Sequence, residues 1–222
     1  MIETLNSIGI SNAMITSTVI TIVIALIAFI MSRNLELVPN GVFQNAIEMG
    51  IEKLHNFFYD IMGEHACKKY FPFIATLFIY ILICNYSGLL PLAGTAPGFA
   101  PPTSSINFPL AMAIVIFFLT QYAGVKANHG PKFFLHLFKP FAFLFPIMLI
   151  EQFVRPLSLT LRLYGNIYGE EAVVHAFFNL IPIGLPVVMQ FLSVLMGLVQ
   201  ALVFSLLSAI YISEAVETAD HL

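Results

Sequence analysis

Charge is what this chain has least of. Only 9% of its 222 residues are Asp, Glu, Lys or Arg, where a soluble domain carries about 25%. The shortage excludes an ordinary water-soluble fold. With 59% hydrophobic residues and a mean hydropathy of +0.91, the sequence reads as an integral membrane protein, most simply one membrane domain over residues 1–222. A net charge of −3 supplies no basic surface, which argues against a nucleic-acid partner. Cysteine is scarce too. Cys67 and Cys84 lie on different segments, so neither a disulfide framework nor a metal site follows, and no cofactor is called for. The opening "MIETLNSIGISN" holds no Arg or Lys and lacks the basic region of a cleavable signal peptide. No "GxxxxGK[ST]" and no "HExxH" occurs, so nothing points to nucleotide chemistry or to a metalloprotease. His129 and His136 stand in a basic loop, where their spacing fits a solvated amphipathic face. There is no internal repeat of the kind that builds secondary transporters.

What the chain does have is long apolar runs. A spanning helix needs roughly 20 such residues. The expected fold is all-α, with about five membrane segments. Three are short spans at 13–31, 71–90 and 108–122. Residues 40–66 mix polar and apolar residues at near-helical spacing and are expected to form an amphipathic helix on the membrane surface. The last two segments, 140–180 and 187–213, are separated by the turn signal "IPIGLP". A helix of about 41 residues over 140–180 would be about 61 Å long, twice the hydrocarbon thickness. Either it turns near "VRPLS" or it tilts steeply; the tilted hairpin is favoured. Arg33, Lys53, Lys68 and Lys69 precede the second span, and Lys126, Lys132 and Lys139 follow the third. The loops 91–106 and 181–186 have neither Lys nor Arg. The bias places the N-terminus outside and the C-terminus in the cytoplasm.

Against this background "LSLTLRLYGNIYGEE" (157–171) stands out. A charge at the bilayer centre costs about 2.5–3.5 kcal/mol on insertion scales. Arg155 reads as an interfacial residue that snorkels to the surface. Arg162, between two leucines and far from the next turn, reads as functional. At about 100° per residue, Asn166, Gly169 and Glu170 lie near the face of Arg162 and Glu171 lies opposite. One helix thus offers a cation to one side and a carboxylate to the other, which suits two separate aqueous environments. On the last segment Ser193, Gly197, Gln200, Ser208 and Tyr211 form a single polar stripe. The serines and Gly197 read as helix–helix glue; for Gln200 that role and a functional one stay open.

At these residues the sequence resembles the a subunit of F-type ATP synthases. The resemblance is carried by "RPLSLTLRLYGNIYGEE" and "LVQALVFSLLSAIYISEA", and more weakly by "CNYSGLLP" and "PTSSINFPLAMA". It implies a static, multi-pass protein of the bacterial plasma membrane, with no active site of its own. Its long hairpin would face a ring of c subunits, with the b subunits of the peripheral stalk, membrane lipid and, indirectly, the catalytic head as its other neighbours. Two offset half-channels would carry protons or sodium ions to and from a carboxylate on each ring subunit. Arg162 matches the family's essential arginine, and Asn166, Glu171, Gln200 and Tyr211 match polar residues near it. Glu151 resembles an acid found on the same helix in some members. Glu170 stands where a small residue is common, Ser193 where some members have His or Glu, and Ser105 where many have an acid.

The chemistry suits that task. An arginine keeps its proton in a protein, so Arg162 acts as a fixed charge that favours the ionised form of a passing carboxylate. Glu170 and Glu171 can take up and release ions. A self-contained channel or secondary transporter is the alternative, and would conduct without a rotor. An intramembrane hydrolase would need a paired nucleophile and base, and a scaffold would not need Arg162.

Overall fold

The computed structural model of the chain describes residues 12–33, 41–89, 101–127, 145–180 and 185–217. Among these residues five helices follow one another: α1 (Asn12–Arg33), α2 (Val42–Ser87), α3 (Asn107–Ala127), α4 (Phe145–Leu180) and α5 (Leu185–Glu217), with a 3-10 turn at Pro102–Ser104 before α3. Among the described residues there is no strand. The expected first-span flank 1–11, most of the loop after the second span, the basic loop with Lys132, Lys139, His129 and His136, and residues 181–184 of the expected turn lie outside the described residues.

The surface helix expected over 40–66 and the span expected over 71–90 form a single helical run bent at one residue. Gly63 has φ 71° and ψ 172°, a conformation that essentially only glycine adopts. Both arms carry helical patterning, so periodicity alone does not mark the bend. Pro72 sits inside the second arm, where Thr76 donates its hydroxyl to the Pro72 carbonyl at 2.7 Å.

α5 is the centre of the bundle and packs antiparallel to α2. At one end Ser213 Oγ donates to the Met62 carbonyl, 3.4 Å away, beside the bend. At the other, Asn85 Nδ2 donates to the Gly197 carbonyl at 3.0 Å. A Cβ on Gly197 would stand 3.3 Å from Tyr86 Cε1 and 3.4 Å from Asn85 Cβ, so the missing side chain lets the two helices touch. Two apolar clusters lie along this seam. Phe58, Met62, Cys67, Ile74 and Ile212 form one, near the bend. Leu77, Ile81, Ile116, Leu159, Leu163 and Phe204 form the other, where α3 and α4 join. Lipid tails are as apolar as these side chains, so close packing rather than water exclusion holds them together in a bilayer. α1 is peripheral and is tied to α2 by Thr21 Oγ1 and Tyr80 Oη, 3.0 Å apart.

α4 is unbroken. Pro156 lies within it, and the Thr160 hydroxyl donates back to the Pro156 carbonyl at 2.8 Å. Of the two readings of this segment, the turn near "VRPLS" is therefore not what forms. A helix of 36 residues is about 54 Å long and exceeds a hydrocarbon core of about 30 Å, so it tilts or overhangs. Leu159, Leu163 and Ile167 recur every fourth residue and are buried, which makes the inner face of α4 a leucine-rich ridge against Ala201 and Phe204 of α5. Four helices, α1, α2, α3 and α5, hold stretches long and apolar enough to cross a membrane. α4 has the length, and its charged residues set it apart.

The bend yields a direct test. Gly63→Ala is expected to lower stability by about 1–3 kcal/mol, the cost of a glycine-only conformation. Gly50→Ala, with nothing within 4 Å of an added Cβ, is expected to gain about 0.5–1 kcal/mol as an ordinary helix substitution. Thermal unfolding of the two variants in detergent measures both, and equal shifts would remove the special role of the bend.

Candidate functional site

The residues singled out in the sequence fall into three groups along the α4–α5 hairpin. The first is a buried amide cluster. Asn166 Nδ2 donates to Gln200 Oε1 at 2.5 Å. Gln200 is 3% exposed, and its Nε2 is enclosed with no partner among the described residues. One turn back along α5, Asn85 holds Gly197, and Asn85 Oδ1 is likewise enclosed and unmatched there. A free donor and a free acceptor, both buried, are costly unless water or an ion serves them. Ser193, 8% exposed, extends the same inner face of α5. Ser208, 0% exposed, donates to the Phe204 carbonyl of its own helix, so it permits close packing without bonding across. Glu170 is half-buried on α4 with one carboxylate oxygen enclosed. Glu171 follows it on α4, with its side chain outside the described residues.

The second group surrounds Arg155. Its Nη2 binds Glu151 Oε1 and its Nη1 binds Glu214 Oε2, each at 2.6 Å. The guanidinium also lies over the Tyr211 ring, 4.7 Å from its centroid. Glu151 and Tyr211 are thus placed with Arg155 and not with Arg162. Arg155, read as a snorkelling interfacial side chain, is held by these contacts and is the most connected cation among the described residues. Beside it, Gln152, Thr120, Pro156 and Leu159 line a narrow crevice between α3, α4 and α5 with room for about one water, and Gln121 donates to Gln152 Oε1 at 2.7 Å.

The third is Arg162 itself. It lies between the other two, one turn from Asn166 and two turns from Arg155. The matching stretch of α5 is near the middle of that helix, because the ties 166–200 and 155–214 bracket it. Arg162 is exposed, and no described side chain forms a hydrogen bond or ion pair with it. Its surroundings are Val154, Leu157, Leu161 and Ser158 in a shallow open groove. Leu163 points the other way and is fully buried. The cation therefore stands on an exposed, largely apolar stretch of α4, with Val154, Leu157 and Leu161 as its neighbours. Lipid is a poor neighbour for it; an anionic group on another chain is a good one. No cluster of His, Cys, Asp or Glu among the described residues has the makings of a metal site.

Sequence reasoning missed two members of the site. Asn85 stood inside a quoted segment without a role, and its amide at the end of an apolar span was the available signal. Glu214 falls just past the last expected segment (187–213), and nothing in the sequence pairs it with a residue 59 positions away.

Fold and site together define a multi-pass membrane protein, helical throughout its described residues, with charged side chains along its last helical hairpin. The comparisons with known proteins agree. The family model for the ATP synthase A chain matches residues 14–213. The chain is 38% identical over 213 residues to ATP synthase subunit a of Trichlorobacter lovleyi, covering 94% of this chain and 89% of that one. It is 43% identical over 187 residues to ATP synthase subunit a 2 of Syntrophotalea carbinolica (82% and 76%), and 37% identical over 212 residues to the subunit a of Moorella thermoacetica (96% and 94%). The chain belongs to the ATP synthase A chain family, the membrane a subunits of F-type ATP synthases.

The amide cluster gives a prediction. A double-mutant cycle between Asn166→Ala and Gln200→Leu is expected to show a coupling of about 0.6–1.7 kcal/mol, the range for hydrogen bonds between membrane helices. Denaturant unfolding in mixed micelles reads it, and strictly additive losses would mean the bond is not formed.

Proposed function

We propose that this chain is the static partner of a ring of c subunits and that it couples ion flow to rotation. The observation that carries the reading is Arg162, exposed on an apolar stretch of the hairpin and without an ion-pair partner among the described residues. A fixed cation there lowers the free energy of an ionised carboxylate that approaches from a neighbouring ring. A protonated ring carboxylate gives up its ion before it passes, and the same charge repels a cation leaking straight across. Each elementary charge moved through 100 mV supplies about 2.3 kcal/mol for the work.

In this reading the amide cluster belongs to one access path. Asn166, Gln200 and Ser193, with Glu170 and Glu171 beyond them, offer polar atoms to water or to an ion on one side of Arg162. Glu151 and Tyr211, around Arg155, border the approach from the other side. The described basic residues Arg33, Lys53, Lys68, Lys69 and Lys126 favour an external N-terminus and a cytoplasmic C-terminus. Residence in a bacterial plasma membrane follows the bacterial relatives. The b subunits of a peripheral stalk, and through them the catalytic head, are the remaining partners. The chain contributes no active site of its own, and the choice between protons and sodium ions rests with the ring.

Two experiments test this. Arg162→Ala is expected to abolish ATP-driven ion pumping in membrane vesicles while the complex still assembles, and Arg162→Lys is expected to fail as well, because a compact ammonium lacks the guanidinium's fork. Full pumping by either variant refutes the fixed-cation gate. Glu171→Gln is expected to slow proton flux through the membrane sector several-fold more than Ser193→Ala; equal fluxes in reconstituted vesicles would take Glu171 out of the path.

A further inference from the structure

We infer that Arg155 is a positioning residue: bridged to Glu151 and Glu214 and laid over Tyr211, it clamps α4 against α5 and so sets the direction in which Arg162 points. The inference rests on the reading of Arg162 as the ring-facing cation.

Several observations converge on it. Among the described residues, polar ties from Asn166 to Gln200 and from Arg155 to Glu214 join α4 to α5, and Arg162 lies between them. Along the stretch they bracket, the helices meet through Leu159, Leu163, Ala201 and Phe204. That packed apolar seam resists separation but contains no directional bond. Directional polar contacts supply what it lacks. The guanidinium is a rigid planar fork with donors at fixed angles. Here one nitrogen is spent on Glu151 of α4, another on Glu214 of α5, and the flat face on Tyr211 of α5. Glu151 orients the fork from its own helix, while Glu214 and Tyr211 receive it three residues apart on the other.

Geometry then carries the effect to Arg162. The two arginines are seven residues apart, about two turns and about 20° of the same line along α4. Any rotation of α4 that opens the clamp swings Arg162 through the same angle. Side-chain exposure of 55% for Glu151 and 51% for Glu214 says that these pairs contribute little as isolated ion pairs. Their weight lies in the direction they impose.

The test uses the assembled complex in membrane vesicles. Arg155→Gln and Glu214→Gln are each compared with the exchange Arg155→Glu/Glu214→Arg. The exchange keeps two acids and one cation but moves the cation to α5, from where it still reaches residues 151 and 155. Ions pumped per ATP hydrolysed, counted per assembled complex, are expected to fall at least five-fold in each single variant and to recover to at least half in the exchange. A second measurement follows aim directly. Single cysteines at Gly165, on the Arg162 side of α4, and at Leu161 are cross-linked to the ring, and the ratio of the two yields is expected to shift at least two-fold in Arg155→Gln. Single variants within two-fold of wild type overturn the clamp. So does an exchange no better than the singles, which would mean that Arg155 acts by its charge where it stands, and so does an unchanged cross-link ratio. Arg162→Ala in the same vesicles separates the two readings. If it pumps, the gate itself fails; if it does not while the Arg155 variants pump normally, the clamp alone fails.

Discussion

A positive charge that cannot be discharged, held on an oily surface, is the constraint on which this structure turns. Arg162 gains nothing from its own fold: its neighbours in the groove are aliphatic save for Ser158, and no described group pairs with it. Left against lipid it is a cost of a few kcal/mol. That cost is recovered only when another chain brings an anion to it. In the reading proposed above, a subunit that meets successive carboxylates has reason to leave such a group open, whereas an isolated transporter or a scaffold has none.

The rest of the chain keeps that charge where it is. α5 is anchored on α2 by the glycine contact at Gly197 and by the hydrogen bonds of Asn85 and Ser213. α4 leans on α5 through leucines and is tied at two levels by polar side chains. α3 closes the back, with Gln121 on Gln152 and Phe117 stacked near Phe153. Each helix thus fixes the next, and the outermost product of the series is the orientation of one guanidinium.

The buried amides show the opposite economy. Gln200 Nε2 and Asn85 Oδ1 are enclosed without partners among the described residues, in an environment where a lost hydrogen bond is expensive. Such groups persist where something mobile completes them. Their place on one side of Arg162, with Glu170 and Glu171 further along α4, makes this the polar side of the hairpin as surely as the opposite face is its apolar one.

How much of this was legible in the linear chain can be judged residue by residue. Composition was enough for a membrane protein, because a helix in lipid must be apolar on nearly every face and that cannot be hidden. Apolar runs marked where long helices were to be expected, because a helix in lipid needs such a stretch. The charge in "LRLYGN" marked Arg162 because an arginine among leucines has no cheap explanation. Three things waited for tertiary structure. The bend at Gly63 depends on one backbone conformation, and a glycine in a helical pattern does not announce which one it adopts. The partners of Arg155 sit four residues away on its own helix and 59 positions away on the next, and only the register of two packed helices joins them. The outward turn of Arg162 was settled by which side of α4 the leucine ridge Leu159, Leu163 and Ile167 chose to bury. Sequence determined which residues are costly in lipid, since that cost is intrinsic to each. Packing decided which way they face, because direction is a property of neighbouring helices and of no residue alone.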